Sequence, residues 1–516
     1  MKKIHYIYVC LGMLLLSALP AKAASEAEYG KVSKTYILNA DGSQEMRAYK
    51  ELTLFTHTAM NGLYGETFIT YNPAYQTLKI NDSYTRQKDG TIIKTPENAF
   101  VEVLPSSATD APAYNGLKEM VVVHTGLDLG ATLYLDYSII TRAGYLPELD
   151  ICEQTQELSP IKEYTLTVVV PENKKLQYKA FGNGSLKVKK DNGKETFSWT
   201  FKNMPAISQE RGNSVASGGV STIMASTYAT PAEALNVLQS QFTAASEREV
   251  ATLAQKLVAD KQTVAEKTKA LNAYVGGLGS CRVTLKECGY RIRPASEVIR
   301  TAYGTEAEKA NLLSGLLEAA GLPADVKVAY VCKLGEDYPS LSGVQSVFLS
   351  DPTMADMQDF ITVLTLDGKK AELKVESHSI NRTDTLPGNG GKVLANGYKL
   401  LTMPGLGEGF ARYGYAMESA TRESNLLLPY KADETYTCEV NIPSGMEVCT
   451  PPKNKELKTP VGKVAVTMTV ADSKAKVVRS LQLNKQLITP REYADFHRLM
   501  SEWADANNAT LLLKQK

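Results

Sequence analysis

Arg293-Pro294-Ala295-Ser296-Glu297-Val298-Ile299, and then Ala302-Tyr303-Gly304-Thr305-Glu306-Ala307-Glu308-Lys309-Ala310, run into an apolar helix over residues 311–320. Thr305 and Glu308 stand at the Thr-x-x-Glu spacing of a capping box, in which the threonine accepts from an early backbone N–H and the glutamate reaches back to the cap. Gly321 supplies the C-terminal cap, Pro323 prevents continuation, and residues 326–331 read as a buried strand. A loop, a capped helix and a strand therefore follow one another in order.

Working outward, residues 232–245, 247–259 and 263–275 carry apolar side chains at helical steps, as Val264, Leu271, Tyr274 and Val275 show. From residue 24 to about Ala229 the period is two. Leu133, Leu135, Tyr137 and Ile139 alternate, as do Leu166, Val168 and Val170, with turns at Asp41-Gly42 and Asp89-Gly90. After about Met403 alternation returns in residues 437–440, 464–470 and 477–483. Thr489-Pro490-Arg491-Glu492 then opens a last helix, whose face of Tyr493, Phe496, Met500 and Trp503 should dock on the final sheet.

The chain's 516 residues exceed what one core holds, and the pattern divides them at 24–230, 231–403 and 404–516. A net charge of +1 without a Lys/Arg stripe argues against nucleic acid as the partner. Residues 1–23 read as a secretory signal: Lys2 and Lys3, an apolar run from Tyr8 to Leu19, then Ala21-Lys22-Ala23. No later run is long and apolar enough to span a bilayer, so the mature chain should begin near Ala24 as an exported protein without a transmembrane segment. The periplasm is the expected compartment, with the cell surface or secretion as alternatives.

Six cysteines follow the signal: Cys152, Cys281, Cys288, Cys332, Cys438 and Cys449. Cys281 with Cys288, and Cys438 with Cys449, are the near neighbours expected to pair. Cys-x-x-Cys and His-x3-His spacings do not occur, so neither a metal nor a cofactor is expected. His57 and His124 have no acid or cysteine at a useful spacing and read as surface or structural residues.

The stretch that opens at Arg293 resembles the core of the bacterial transglutaminase-like superfamily. That family's papain-type site carries a Tyr-Gly-Asp-Cys-Lys-Asp-Lys-Ala signature behind a Pro and a Glu-Val pair. Pro294, Glu297, Val298, Tyr303, Gly304, Lys309, Ala310, Leu312, Leu313, Leu316, Leu317 and Gly321 fit it. The wider layout resembles exported three-part proteins of this kind. It implies an α+β multidomain fold: an N-terminal β-sandwich-like domain, a transglutaminase-like α/β core, and a small C-terminal β-sandwich with a terminal helix.

In that family a cysteine opens the helix, where the helix dipole and a histidine stabilise its thiolate. Here the position is Glu306, preceded by Thr305 in place of the family's Asp. The family's His falls at Asp359, on an expected strand over residues 356–364, and its final Asp near Glu376. The catalytic positions the resemblance implies are thus Glu306, Asp359 and Glu376, without a thiol or an imidazole among them. His378 reads as a solvated strand-end residue, Cys332 as core, and neither Cys281 nor Cys288 begins a helix beside a His.

Two functions follow. One is a non-catalytic envelope protein binding a peptide, a glycan or a protein; ionised together, Glu306 and Asp359 would make its cleft acidic, suited to a cationic or hydroxyl-rich ligand. The other is an acyl-transfer or peptide-hydrolysing enzyme with an unconventional site.

Overall fold

The computed structural model describes residues 25–375, 378–406 and 408–516. The expected signal segment and Glu376 lie outside the described residues.

The alternating N-terminal strands assemble as one broad sheet covered by two small ones. The broad sheet runs in the order Ser185–Asp191, Lys194–Met204, Ile161–Pro171, Ala27–Leu38, Gln44–Leu54, Thr132–Thr141, Gln76–Arg86, Ile92–Lys94. Its neighbours are antiparallel except Ala27–Leu38 with Ile161–Pro171. One cover is Gln177–Phe181, Thr222–Ser226 and Asp150–Gln154, whose Ile151 and Ile223 pack with Tyr164, Val168 and Trp199. The other is Glu66–Tyr71, Lys118–Val123 and Phe100–Val103, whose Ile69 and Val122 pack on Leu135 and Ile139.

Five helices build the first part of the core: α1 (Pro231–Gln239), α2 (Arg248–Val258), α3 (Val264–Gly276), α4 (Ala295–Thr301) and α5 (Glu306–Ala319). The helix expected over 232–245 is divided: after α1 the chain turns, with the Gln241 backbone N–H on the Leu238 carbonyl at 2.9 Å and its side-chain amide donating to the Tyr290 carbonyl at 2.8 Å. An antiparallel sheet follows, with Lys327–Tyr330 between Val344–Phe348 and Val363–Thr365. α5 is buried on two sides. Ala307 and Ala310 meet Val328 and Tyr330 of the sheet, while Leu312 and Leu316 meet Val250, Leu271 and Val298 of α2 to α4. Gly315 permits the closest approach, since a Cβ there would lie 2.5 Å from Ala244 Cβ. The helix ends as expected: Gly321 has φ +70°, and the Leu322 amide donates to the Leu317 carbonyl at 2.9 Å.

A short helix, α6 (Pro352–Met357), leads toward the C-terminal domain. That domain stacks a five-stranded sheet (Ser379–Pro387, Asp433–Asn441, Lys474–Leu483, Gly462–Ala471, Lys453–Lys458) against a four-stranded one (Lys392–Val393, Tyr398–Thr402, Thr510–Gln515, Met446–Val448). The chain enters it at Ser379, ahead of the change of pattern at Met403. The reason is that Ser379–Pro387 is an edge strand with few apolar side chains, which shows no apolar alternation. The closing helix α7 (Pro490–Ala504) buries Tyr493, Phe496, Met500 and Trp503, and Glu492 accepts from the Thr489 amide at 3.1 Å.

The expected cysteine pairs do not form: all six described cysteines are free thiols. Cys438 lies in the five-stranded sheet, whereas Cys449 follows Met446–Val448 in the other, because the Pro443-Ser444-Gly445 turn carries the chain between sheets. Cys288 donates to the Thr284 carbonyl at 3.3 Å, while Cys281 points to the Ser107 carbonyl at 4.0 Å.

Candidate functional site

The start of α5 is held by the capping box and by more than the box. Thr305 Oγ1 accepts from the Glu308 amide at 3.3 Å, and Glu308 accepts from the Thr305 amide at 2.8 Å. Glu308 is also fully buried and clamped by Arg293, with Nε to Oε1 at 2.8 Å and Nη2 to Oε2 at 2.9 Å. The Tyr114 hydroxyl, from the N-terminal domain, donates to it at 2.5 Å. Burial alone would push this carboxyl up; the Arg293, Tyr114 and Thr305 donors outweigh it and hold it below the usual carboxylate range. Arg293 donates further to the Tyr303 carbonyl at 2.9 Å and lies over the Tyr303 ring at 4.6 Å.

Two residues earlier, Glu306 faces a cleft of about 260 Å³. One wall is the segment from Cys281 to Leu285, the other the strand Val344–Phe348. The Ser346 hydroxyl and the Val347 amide donate to the Glu306 carboxylate. Its carboxyl is raised, first by burial and then by Asp351, and these two donors pull it only partly back. Arg282 lines the same cleft, so the opening carries both signs of charge. The Cys281 thiol is there too, tied by its amide to the Gly304 carbonyl at 2.9 Å. Burial pushes that thiol up, the reverse of what a nucleophilic thiolate needs.

The expected partner of Glu306 is elsewhere. Asp359 is exposed in the turn after α6 and not on a strand, since Pro352–Met357 folds as a helix and the strand begins only at Val363. It borders a separate pocket with Asp356, His378, Lys431 and Asp433, so the acidic pair with Glu306 does not assemble. His378 is not a solvated strand end: its Nε2 meets Asp356, and its ring stacks on Tyr430 at 4.0 Å. His124 is buried against Thr67 at 2.8 Å, and burial with nearby Lys50 lowers it to about 3. His57 is exposed in the N-terminal domain, and His497 on α7 contacts the Glu418 carbonyl at 3.1 Å. Every described histidine therefore lies outside the Glu306 cleft. Ser346 and Arg282 were not legible as site residues, for neither belongs to a motif and only the sheet brings Ser346 to the helix start.

A buried capped helix laid on a three-stranded sheet, between two β domains, defines a transglutaminase-like architecture. Family comparison agrees: the transglutaminase-like superfamily matches residues 251–356, the domain of unknown function DUF3857 matches 40–208, and DUF3858 matches 399–513. A crystal structure from Parabacteroides distasonis, described as a "putative protease", is 40% identical, covers 95% of this chain and 99% of that one, and superposes with a TM-score of 0.87. The chain belongs to this transglutaminase-like family with flanking DUF3857 and DUF3858 domains. An M1 zinc metallopeptidase variant from Deinococcus radiodurans is 11% identical over 38% of this chain and 41% of its own, with a TM-score of 0.20, too low for a shared fold. No curated protein matches the chain.

Proposed function

We propose that this protein binds a peptide segment in the Glu306 cleft, within the cell envelope, and carries out no acyl transfer there. The observation that carries the reading is a carboxylate at the helix start, held by Ser346 and Val347, in a cleft none of the described histidines reaches. Acyl transfer needs an expellable nucleophile and a base to activate it, and Glu306 with a protonated Cys281 supplies neither. A peptide suits the walls. Val344–Phe348 is an edge strand, paired on one side only with Lys327–Tyr330, and can add an extended backbone. Arg282 and Glu306 then offer both signs of charge to its side chains. The envelope location rests on the basic, apolar and small-residue pattern of residues 1–23.

A second reading is peptide hydrolysis, favoured by the description of the Parabacteroides distasonis relative. One experiment separates the two. A defined library of extended peptides is presented to the purified chain, with binding and cleavage read in parallel and iodoacetamide labelling followed at each cysteine. Binding without cleavage, weakened in Glu306→Gln, and Cys281 labelling no faster than in the denatured chain are expected. Turnover abolished by labelling of one cysteine would establish hydrolysis instead.

A further inference from the structure

Where the N-terminal domain meets the core there is a second cavity, of about 250 Å³. Met46, Tyr71, Ile139, Leu146 and Ile151 give it an apolar wall, and the core contributes Thr284, Lys286 and Glu287. Its polar residues include a cross-strand row on the broad sheet: Thr141 stands opposite Gln44 on one neighbouring strand and opposite Gln76 on the other. Gln76 is satisfied, donating to Thr141 Oγ1 at 3.1 Å and accepting from the Asn72 amide at 2.8 Å. Gln44 is not. It is 7% exposed, and its amide nitrogen has no partner among the described residues.

A buried amide N–H without an acceptor is costly and uncommon in a native protein. Gln44 lines the cavity, so a molecule bound there meets this amide, whose nitrogen and oxygen ends exchange by rotation about its last bond. The charged groups nearby do not ask for an ion. Asp150 lines the cavity, yet its carboxylate already takes the Ser340 and Ser342 hydroxyls and the Leu341 and Ser342 amides. Glu287 accepts from the Thr284 amide at 2.7 Å and the Ser107 hydroxyl at 3.4 Å, and exposed Lys286 and half-buried Glu45 add one charge of each sign at the lining. An ionic group would lose hydration there without a free counter-charge, whereas an apolar body with one neutral acceptor loses little.

We infer that this cavity is a binding site for a small uncharged molecule with an aliphatic or aromatic body and one amide or hydroxyl head, whose oxygen accepts from Gln44. It shares only Thr284 with the Glu306 cleft, and its occupancy does not depend on what that cleft binds.

The test is titration of the full chain with 3-phenylpropanamide, and with 3-phenylpropanoate as the charged counterpart, by calorimetry. Saturable binding of the amide is expected, with the carboxylate bound at least about tenfold more weakly. Gln44→Leu keeps the volume and removes the donor, and should weaken the amide about tenfold. Ile139→Trp fills the space and should abolish binding. Absence of saturable binding to the wild-type chain overturns the site. So does an affinity that Gln44→Leu leaves unchanged, a variant whose near-constant size spares the fold if the tryptophan variant does not fold.

Discussion

Two glutamates separated by one residue, Glu306 and Glu308, start the same helix and meet opposite fates. Glu306 faces the cleft with a raised carboxyl, and Glu308 is buried in an ion pair that joins cap, core and N-terminal domain. Breaking a buried pair from one side leaves an uncompensated charge, so Glu308→Gln should cost about 3–5 kcal/mol. The check is urea denaturation beside Arg293→Met and the double variant. The double should lose less than the sum of the singles, because Arg293 and Glu308 act on each other. A loss in Glu308→Gln no larger than that of an ordinary cap, about 1 kcal/mol, would reduce Glu308 to its capping role. The cap was readable from Thr305 and Glu308 alone. The clamp was not, because the Tyr114 that completes it is 194 residues away in the chain.

Among the elements, strand Asp433–Asn441 carries a fully buried acid. Burial pushes Glu434 up to about 7, even though the Phe410 amide donates to it at 2.7 Å and the Tyr436 hydroxyl at 3.4 Å. Its ordinary value is 4.5, so the folded state favours the protonated form. The stability this group contributes is fully present below pH 4.5 and is lost as pH rises through about 7, a change of at most about 3 kcal/mol. Glu434→Gln keeps a neutral side chain at every pH. It should flatten that part of the profile, matching the wild-type near pH 5 and exceeding it near pH 8 in denaturation midpoint. Identical pH dependence in both chains would show that Glu434 stays ionised in the fold. The strand itself was legible from its alternation, but Glu434 was not marked, since a glutamate in an alternating strand ordinarily faces water.

For the whole molecule, the three domains close on one another. After the strand Lys194–Met204 the chain reaches the C-terminal domain, where Glu210 accepts from the Glu423 amide at 3.0 Å, the Ser424 amide at 2.8 Å and the Ser424 hydroxyl at 2.6 Å. Asn425 donates to the Ser217 carbonyl at 2.8 Å, and Arg422 to the Arg211 carbonyl. Burial would push Glu210 up, but the Ser424 and Ser208 hydroxyls and the two amides hold it down to about 2. Its contribution is therefore present above its ordinary 4.5 and is lost as pH falls toward 2. In Glu210→Gln this acid-sensitive step should disappear, and limited proteolysis of residues 205–220 should quicken at neutral pH. Unchanged proteolysis in that segment would mean the domains are held together without Glu210.

The sequence by itself determined what neighbours decide. The capping box at Thr305, the left-handed Gly321, the periodicity of strands and helices and the family pattern around Tyr303-Gly304 depend on residues within a few positions of one another. The tertiary structure alone decided which remote residue stands beside Glu306, bringing Ser346 to the helix start and sending Asp359 to another pocket. It also separated Cys438, in a strand of one sheet, from Cys449, just past a strand of the other. The physical reason is common to both: a local hydrogen bond is specified by spacing along the chain, whereas strand partners are selected by the burial of surfaces that meet only after long loops have closed.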